Sequence, residues 1–164
     1  MIFEQKPITM IIQKTQHYSP SEVNTDNKSC RVLFVDDEAA VCFAFSKLLE
    51  NESFGFDICE SIEEALAMLG RNEYFAVISD VRFSGTDNED GLSFMSVVRR
   101  EQPRSKVILV TGYGSEELKK RAQALGAHYY FEKPVVPSAI LDALTSMFRD
   151  TRTETISSTL MPAV

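Results

Sequence analysis

The chain has no tryptophan, only three cysteines and two histidines, and fewer basic than acidic side chains. Each shortage closes off a class of function. Cys30, Cys42 and Cys59 show no CxxC or zinc-ligand spacing. They read as reduced thiols of a cytosolic protein, not as a disulfide framework. No apolar run approaches the roughly 18 residues of a membrane span. Ile8 to Ile12, the longest such stretch near the N-terminus, is too short and poorly flanked for a signal peptide. Lys and Arg total 17 against 24 Asp and Glu, a net charge of −7. Residues 1–29 and 151–164 each balance to zero, so the body of the chain carries all of it. An acidic body argues against nonspecific nucleic-acid binding, which rests on Lys and Arg neutralising phosphates. A histidine phosphodonor sits on an exposed helix. His17 lies in a polar stretch and His128 opens an apolar run, so incidental or structural roles suit both. The absence of tryptophan also removes its fluorescence as a reporter.

What remains is a chain of 164 residues, 44% hydrophobic, enough for one domain with a packed core. Residues 1–29 are rich in Ser, Thr, Asn, Gln and Lys without a sustained period, and read as a tail. Residues 150–164 read the same way. Between them, strand and helix patterns alternate five times. Apolar runs at 31–35, 56–59, 75–79, 106–110 and 128–132 read as strands. The third shows almost no alternation, as expected of a strand covered on both faces. Helical patterns fill 38–50, 61–70, 91–101, 115–126 and 138–149. Ser61 with Glu64 forms a capping box, and Gly70 suits a helix stop. Five such repeats imply a doubly wound α/β fold: a five-stranded parallel sheet with helices on both faces, flavodoxin-like.

Parallel strands bring their C-terminal ends to one edge, where open α/β sheets place their sites. Asp36 and Asp37 end the first run, Asp80 the third, Thr111 the fourth, and Lys133 before Pro134 the fifth. The second run ends in Glu60 and Ser61 without evident chemistry. One aspartate at 36–37 would serve as a helix cap. Two together add like-charge repulsion, which a hard cation such as Mg²⁺ between them and Asp80 would relieve. Asp80 itself suits a metal ligand or a nucleophile able to accept a phosphoryl group as an acyl phosphate. Such transfer asks mainly for positioning and charge neutralisation. Lys133 could neutralise the phosphoryl oxygens from the other side. Thr111, alone a turn residue, could donate its hydroxyl to them, with Gly112 giving the loop room.

This set, in this order on this pattern, resembles the receiver domain of two-component response regulators over about residues 30–149. The resemblance implies roles by position. Asp80 is similar to the phospho-accepting aspartate. Asp37 resembles the direct Mg²⁺ ligand, Asp36 the one acting through water, and the Arg82 backbone carbonyl a third protein ligand. Lys133 is similar to the lysine that pairs with the acceptor and then with the phosphoryl group. Thr111 resembles the switch hydroxyl and Tyr130 the switch aromatic. A sensor histidine kinase or phosphotransfer protein would be the donor. A downstream protein would read the helix over 115–125, the strand carrying Tyr130 and the last helix. Neither nucleic acid nor membrane is expected as a partner.

Two departures accompany the resemblance. The stretch from Asp80 to Gly91 is three residues longer than the family's usual spacing, lacks its proline, and adds Asp87, Glu89 and Asp90. Nor do the residues after the last helix suffice for a DNA-binding or enzymatic output domain, which points to a module that docks or passes the group onward. Two alternatives compete. A Mg²⁺-dependent aspartyl phosphohydrolase of the haloacid-dehalogenase type would want Asp-x-Asp after strand one and a cap insertion; here the pair is adjacent. A binding adapter acting without phosphorylation would have no reason to keep mutually repelling carboxylates beside Lys133 and Thr111.

Overall fold

The computed structural model describes residues 30–50, 52, 54–83 and 90–159. The expectations for residues 1–29, for the lengthened stretch 84–89 with Asp87 and Glu89, and for His17 lie outside them. Five strands alternate with five helices: β1 Arg31–Val35, α1 Ala39–Leu49, β2 Gly55–Cys59, α2 Ile62–Leu69, β3 Ala76–Asp80, α3 Asp90–Glu101, β4 Lys106–Thr111, α4 Glu116–Ala124, β5 Tyr129–Glu132 and α5 Pro137–Thr159. All strand pairs are parallel, in the order β2-β1-β3-β4-β5. The order reverses between β1 and β3, so the crevice at that switch point lies between the ends of the strands carrying Asp36 and Asp80.

Alternation along the strands feeds two cores. Leu33, Val35, Val77, Val107 and Leu109 face α2, α3 and α4, meeting Leu69, Met95, Val98 and Leu118. Val32, Phe34, Ile78, Ile108 and Val110 face α1 and α5, meeting Phe45, Leu49, Ile140 and Leu144. Phe34 and Phe45 stack with ring centroids 3.9 Å apart. All five residues of β3 are buried, which is why its sequence shows no polar face. Fully burying each such aliphatic side chain contributes about 1.5–3 kcal/mol, so the two cores hold the strand ends rigidly in place.

Local chemistry sets the element ends. The Ser61 hydroxyl accepts from the Glu64 amide at 3.2 Å, as the capping box implies. The return bond from Glu64 goes to the Glu60 amide, one residue earlier. Gly70 caps α2 in a right-handed conformation, φ −71°, so its freedom at positive φ is not what ends the helix. Gly126 does use that freedom: φ is 90°, and Ala127 donates to Ala122 at 3.0 Å to close α4. The last helix corrects the reading of residues 150–164 as an aperiodic tail. It continues to Thr159, because no proline or glycine interrupts the chain between Pro137 and Pro162.

Candidate functional site

The end of β3 is clamped from behind. The Gly91 amide donates to the Val81 carbonyl at 3.0 Å, drawing the first turn of α3 against the strand end. A Cβ at position 91 would overlap the Asp80 carbonyl oxygen and stand 2.7 Å from the Val81 Cα. Only glycine allows that approach. The Asp80 side chain is thereby aimed along the sheet edge. Its Oδ1 accepts from the Arg82 amide at 3.0 Å and its Oδ2 from Lys133 Nζ at 2.8 Å.

Lys133 gathers the site. Besides Asp80, its Nζ donates to Asp36 Oδ2 at 2.9 Å and to Glu38 Oε1 at 3.2 Å. Its position follows from the Lys133 amide, which donates to the Thr111 carbonyl at 2.7 Å; the peptide joining it to Pro134 is cis. Burial pulls its pKa down, but hydrogen bonds to Asp80 and Asp36 outweigh this and hold it above the usual lysine value. Asp36 is 1% exposed and Asp80 7%. Burial raises the Asp36 pKa against the opposing pull of Lys133. Asp36 also accepts from the Glu38 amide at 3.0 Å, so it does cap-like work at the start of α1 as well.

The carboxylates are arranged differently from the trio expected. Asp36, Glu38 and Asp80 each bring a carboxylate oxygen within 4.8 Å of the others. In the sequence Glu38 merely opens the helical pattern over 38–50, and no signal short of its contact with Lys133 marks it out. Asp37, half-buried, instead lines a cavity of about 400 Å³ toward α2 and α3, beside Glu60, Phe83 and Asp90. Asp36, Asp37, Glu38 and Asp80 leave an excess of negative charge over the single ammonium of Lys133. An all-oxygen, net-negative donor set with two buried carboxylates fits a hard divalent cation such as Mg²⁺.

Thr111 ends β4, and Tyr130 lies within the neighbouring β5, in register with Leu109. Thr111 is fully buried, and its Oγ1 accepts from the Tyr113 amide at 3.1 Å. Tyr130 packs against the α2–α4 core with its hydroxyl buried and without a hydrogen-bond partner among the described residues. Burial raises its pKa; the Ser115 backbone lies close enough to oppose the shift, though not in bonding geometry. The Arg82 guanidinium lies over the Tyr113 ring, 5.0 Å from its centroid, linking the loops after β3 and β4. The cysteines stay out of this chemistry. Cys42 Sγ donates to the Asp36 carbonyl, and burial pushes both it and Cys59 up to about 12. They sit in cores on opposite faces of the sheet.

No helix among the described residues is long and apolar enough to cross a membrane. Residues 32–145 match the model of the response regulator receiver domain family. The response regulator protein FleR of Pseudomonas aeruginosa is 34% identical over 114 residues, 70% of this chain and 24% of FleR. A putative NtrX-like response regulator of Rickettsia conorii is 30% identical over the same number of residues, again 70% of this chain and 24% of that protein. The chain thus spans about a quarter of the length of these relatives. Among solved structures, a CheY-like receiver domain protein of Methanospirillum hungatei superimposes with a TM-score of 0.70 at 28% identity, over 77% of this chain and 98% of that one. With the family pattern matched over residues 32–145 and the sheet in the receiver order, the chain belongs to the response regulator receiver domains of two-component systems.

Proposed function

We propose that this receiver domain accepts a phosphoryl group on Asp80 from a phosphohistidine of a sensor kinase or phosphotransfer protein. The observation that carries the reading is the Asp80 carboxylate, nearly buried at a strand end, with Lys133 Nζ at 2.8 Å and a second carboxylate, Asp36, on the same ammonium. In the step, an Asp80 oxygen attacks phosphorus, the donor's N–P bond breaks, and the leaving imidazole keeps the electron pair and takes a proton. Asp80 becomes an acyl phosphate. Lys133 then follows the charge from carboxylate to phosphoryl oxygens. Mg²⁺, when bound, would neutralise the same oxygens; of the carboxylates that would hold it, Asp36 and Asp80 already lie together with Glu38, and Asp37 with the Arg82 carbonyl would complete the set.

The Thr111 hydroxyl only accepts from the Tyr113 amide, so its own proton remains available to donate to the new phosphoryl group, toward which the side chain would move. Tyr130, with a buried hydroxyl lacking a partner among the described residues, gains by moving into whatever space that opens. The partner surface would be α4, β5 and α5. α4 buries only Leu118 and Ala122, so few apolar anchors resist its displacement. The test is incubation with acetyl phosphate and Mg²⁺. One phosphoryl mass should appear and be absent from Asp80→Asn. Labelling that survives this substitution would move the acceptor elsewhere.

A further inference from the structure

The ammonium of Lys133 has three N–H donors and no acceptor. All three are taken before any phosphoryl group arrives: by Asp80 Oδ2 at 2.8 Å, Asp36 Oδ2 at 2.9 Å and Glu38 Oε1 at 3.2 Å. A phosphoryl oxygen that is to reach this cation must displace one of them. The three acceptors are not equal. The Asp36 and Asp80 side chains are nearly buried, while that of Glu38 is 63% exposed. Taking the lysine from a buried carboxylate leaves a charge without compensation, which is strongly destabilising. Taking it from an exposed carboxylate returns that group to water, where the pair contributes little. The longest of the three bonds is therefore also the easiest to break.

Local structure leaves the Glu38 side chain for this contact. Its backbone is fixed on both sides. The Glu38 amide donates to Asp36 Oδ1 at 3.0 Å, and its carbonyl accepts from the Val41 and Cys42 amides at 2.8 and 3.0 Å. Residue 38 is the N-cap of α1, yet its side chain makes no capping bond, and the first turn of the helix holds no acidic residue. A carboxylate released from Lys133 thus stays beside a helix start that favours an anion, which gives it a second stable position.

We infer that Glu38 is a placeholder on Lys133. It holds the N–H that a phosphoryl oxygen takes during attack by Asp80, and it turns out toward the start of α1 as that oxygen arrives. The inference rests on Asp80 being the acceptor. Glu38 is in this sense a positioning residue, and its charge makes it selective. A free dianionic donor approaches an exposed carboxylate that it must repel and replace, so it is slowed more than a monoanionic one.

Initial rates of Asp80 labelling at limiting donor and saturating Mg²⁺ test this in the full chain near pH 7. The donors are acetyl phosphate, a dianion, and phosphoramidate, a monoanion. Glu38→Gln keeps the shape without the charge. It should label about two- to fivefold faster with acetyl phosphate, the range set by an exposed ion pair, and gain less with phosphoramidate. Added salt should shrink the gain, because exposed charges are screened. Glu38→Asp keeps the charge on a side chain one methylene shorter, which loosens the hold on Lys133, and should fall between the two. A gain that is equal for both donors and indifferent to salt would reduce Glu38 to a helix-start residue and overturn the inference. Slower labelling in Glu38→Gln, or a higher Mg²⁺ concentration for half-maximal labelling, would make Glu38 a ligand of the cation and overturn it equally. Unchanged rates with the label confined to Asp80 would defeat the placeholder alone. Wild type that takes no label, or label that survives Asp80→Asn, would remove the acceptor and the placeholder together.

Discussion

The Cα of Gly91 packs so closely on the Asp80 carbonyl that a methyl group on it would overlap the oxygen. The first turn of α3 thus braces the strand end that aims Asp80 at Lys133. Gly91→Ala must push α3 away or shift the Asp80 backbone, an overpacking cost of at least about 1–3 kcal/mol. Urea unfolding should show that loss. Labelling by acetyl phosphate should fall more steeply than the folded fraction does, because the acceptor is displaced even in folded molecules. Equal stability and equal labelling would mean that α3 does not brace the site.

Lys133 pairs with both buried carboxylates, Asp36 at 2.9 Å and Asp80 at 2.8 Å. Removing it in Lys133→Met leaves those charges buried without compensation, a loss of about 3–5 kcal/mol near neutral pH. The pH dependence has a definite sign. Burial already raises the Asp36 pKa, and without Lys133 it rises further. A carboxyl whose folded pKa exceeds its unfolded value contributes stability while protonated, and that stability is lost as pH rises through the folded value. The deficit of Lys133→Met relative to wild type should therefore be small near pH 4 and grow toward pH 7. Denaturant midpoints across that range check it; a deficit independent of pH would contradict the account.

These two cases also show what a linear sequence exposes. The strand ends at Asp36, Asp80, Thr111 and Lys133 were legible because an apolar run covered on both faces stops abruptly where it meets the sheet edge. Parallel topology then does the rest, converting four distant positions into neighbours. Glu38 was not legible, because its contact with Lys133 crosses 95 positions and its local context is an ordinary helix start. Asp57 was hidden for the same reason. It lies mid-strand in β2, accepts from Arg31 Nη2 at 2.6 Å and from the Tyr74 hydroxyl at 2.7 Å, and looks in sequence like a polar interruption. The end of α5 was misplaced because an absent helix breaker is weaker information than a present one.

His128 couples stability to acid. Its Nδ1 accepts from the Val107 amide at 3.1 Å, while its own amide donates to the Val107 carbonyl at 2.8 Å. Protonation removes the acceptor. Burial, with Lys106 and Arg99 nearby, lowers its pKa from the ordinary 6.5. For a base with a lowered folded pKa, stability is present above the unfolded value and lost as pH falls through the folded one. The acid-side slope of stability between about pH 7 and 5 should be shallower in His128→Gln than in wild type. Identical slopes would show that this ring does not titrate against the fold.

The last expectation concerns Arg82 and Tyr113, which link the loops after β3 and β4. The guanidinium lies 5.0 Å from the ring centroid; Tyr113 is 68% exposed, whereas the Arg82 Nε is buried. The Arg82 amide already donates to Asp80 Oδ1, and we expect that after phosphorylation the two side chains hinder a water aligned for attack on phosphorus. If they act as a pair, Arg82→Ala and Tyr113→Ala should each hasten phosphoryl loss, and the double substitution should hasten it little beyond either one. The coupling should be about 0.5–1 kcal/mol, the strength of an exposed cation–π contact. Rates of acyl-phosphate decay for the four proteins decide it. Additive effects would mean that the two side chains act on water separately, and no effect from Arg82→Ala would reduce the contact to loop packing.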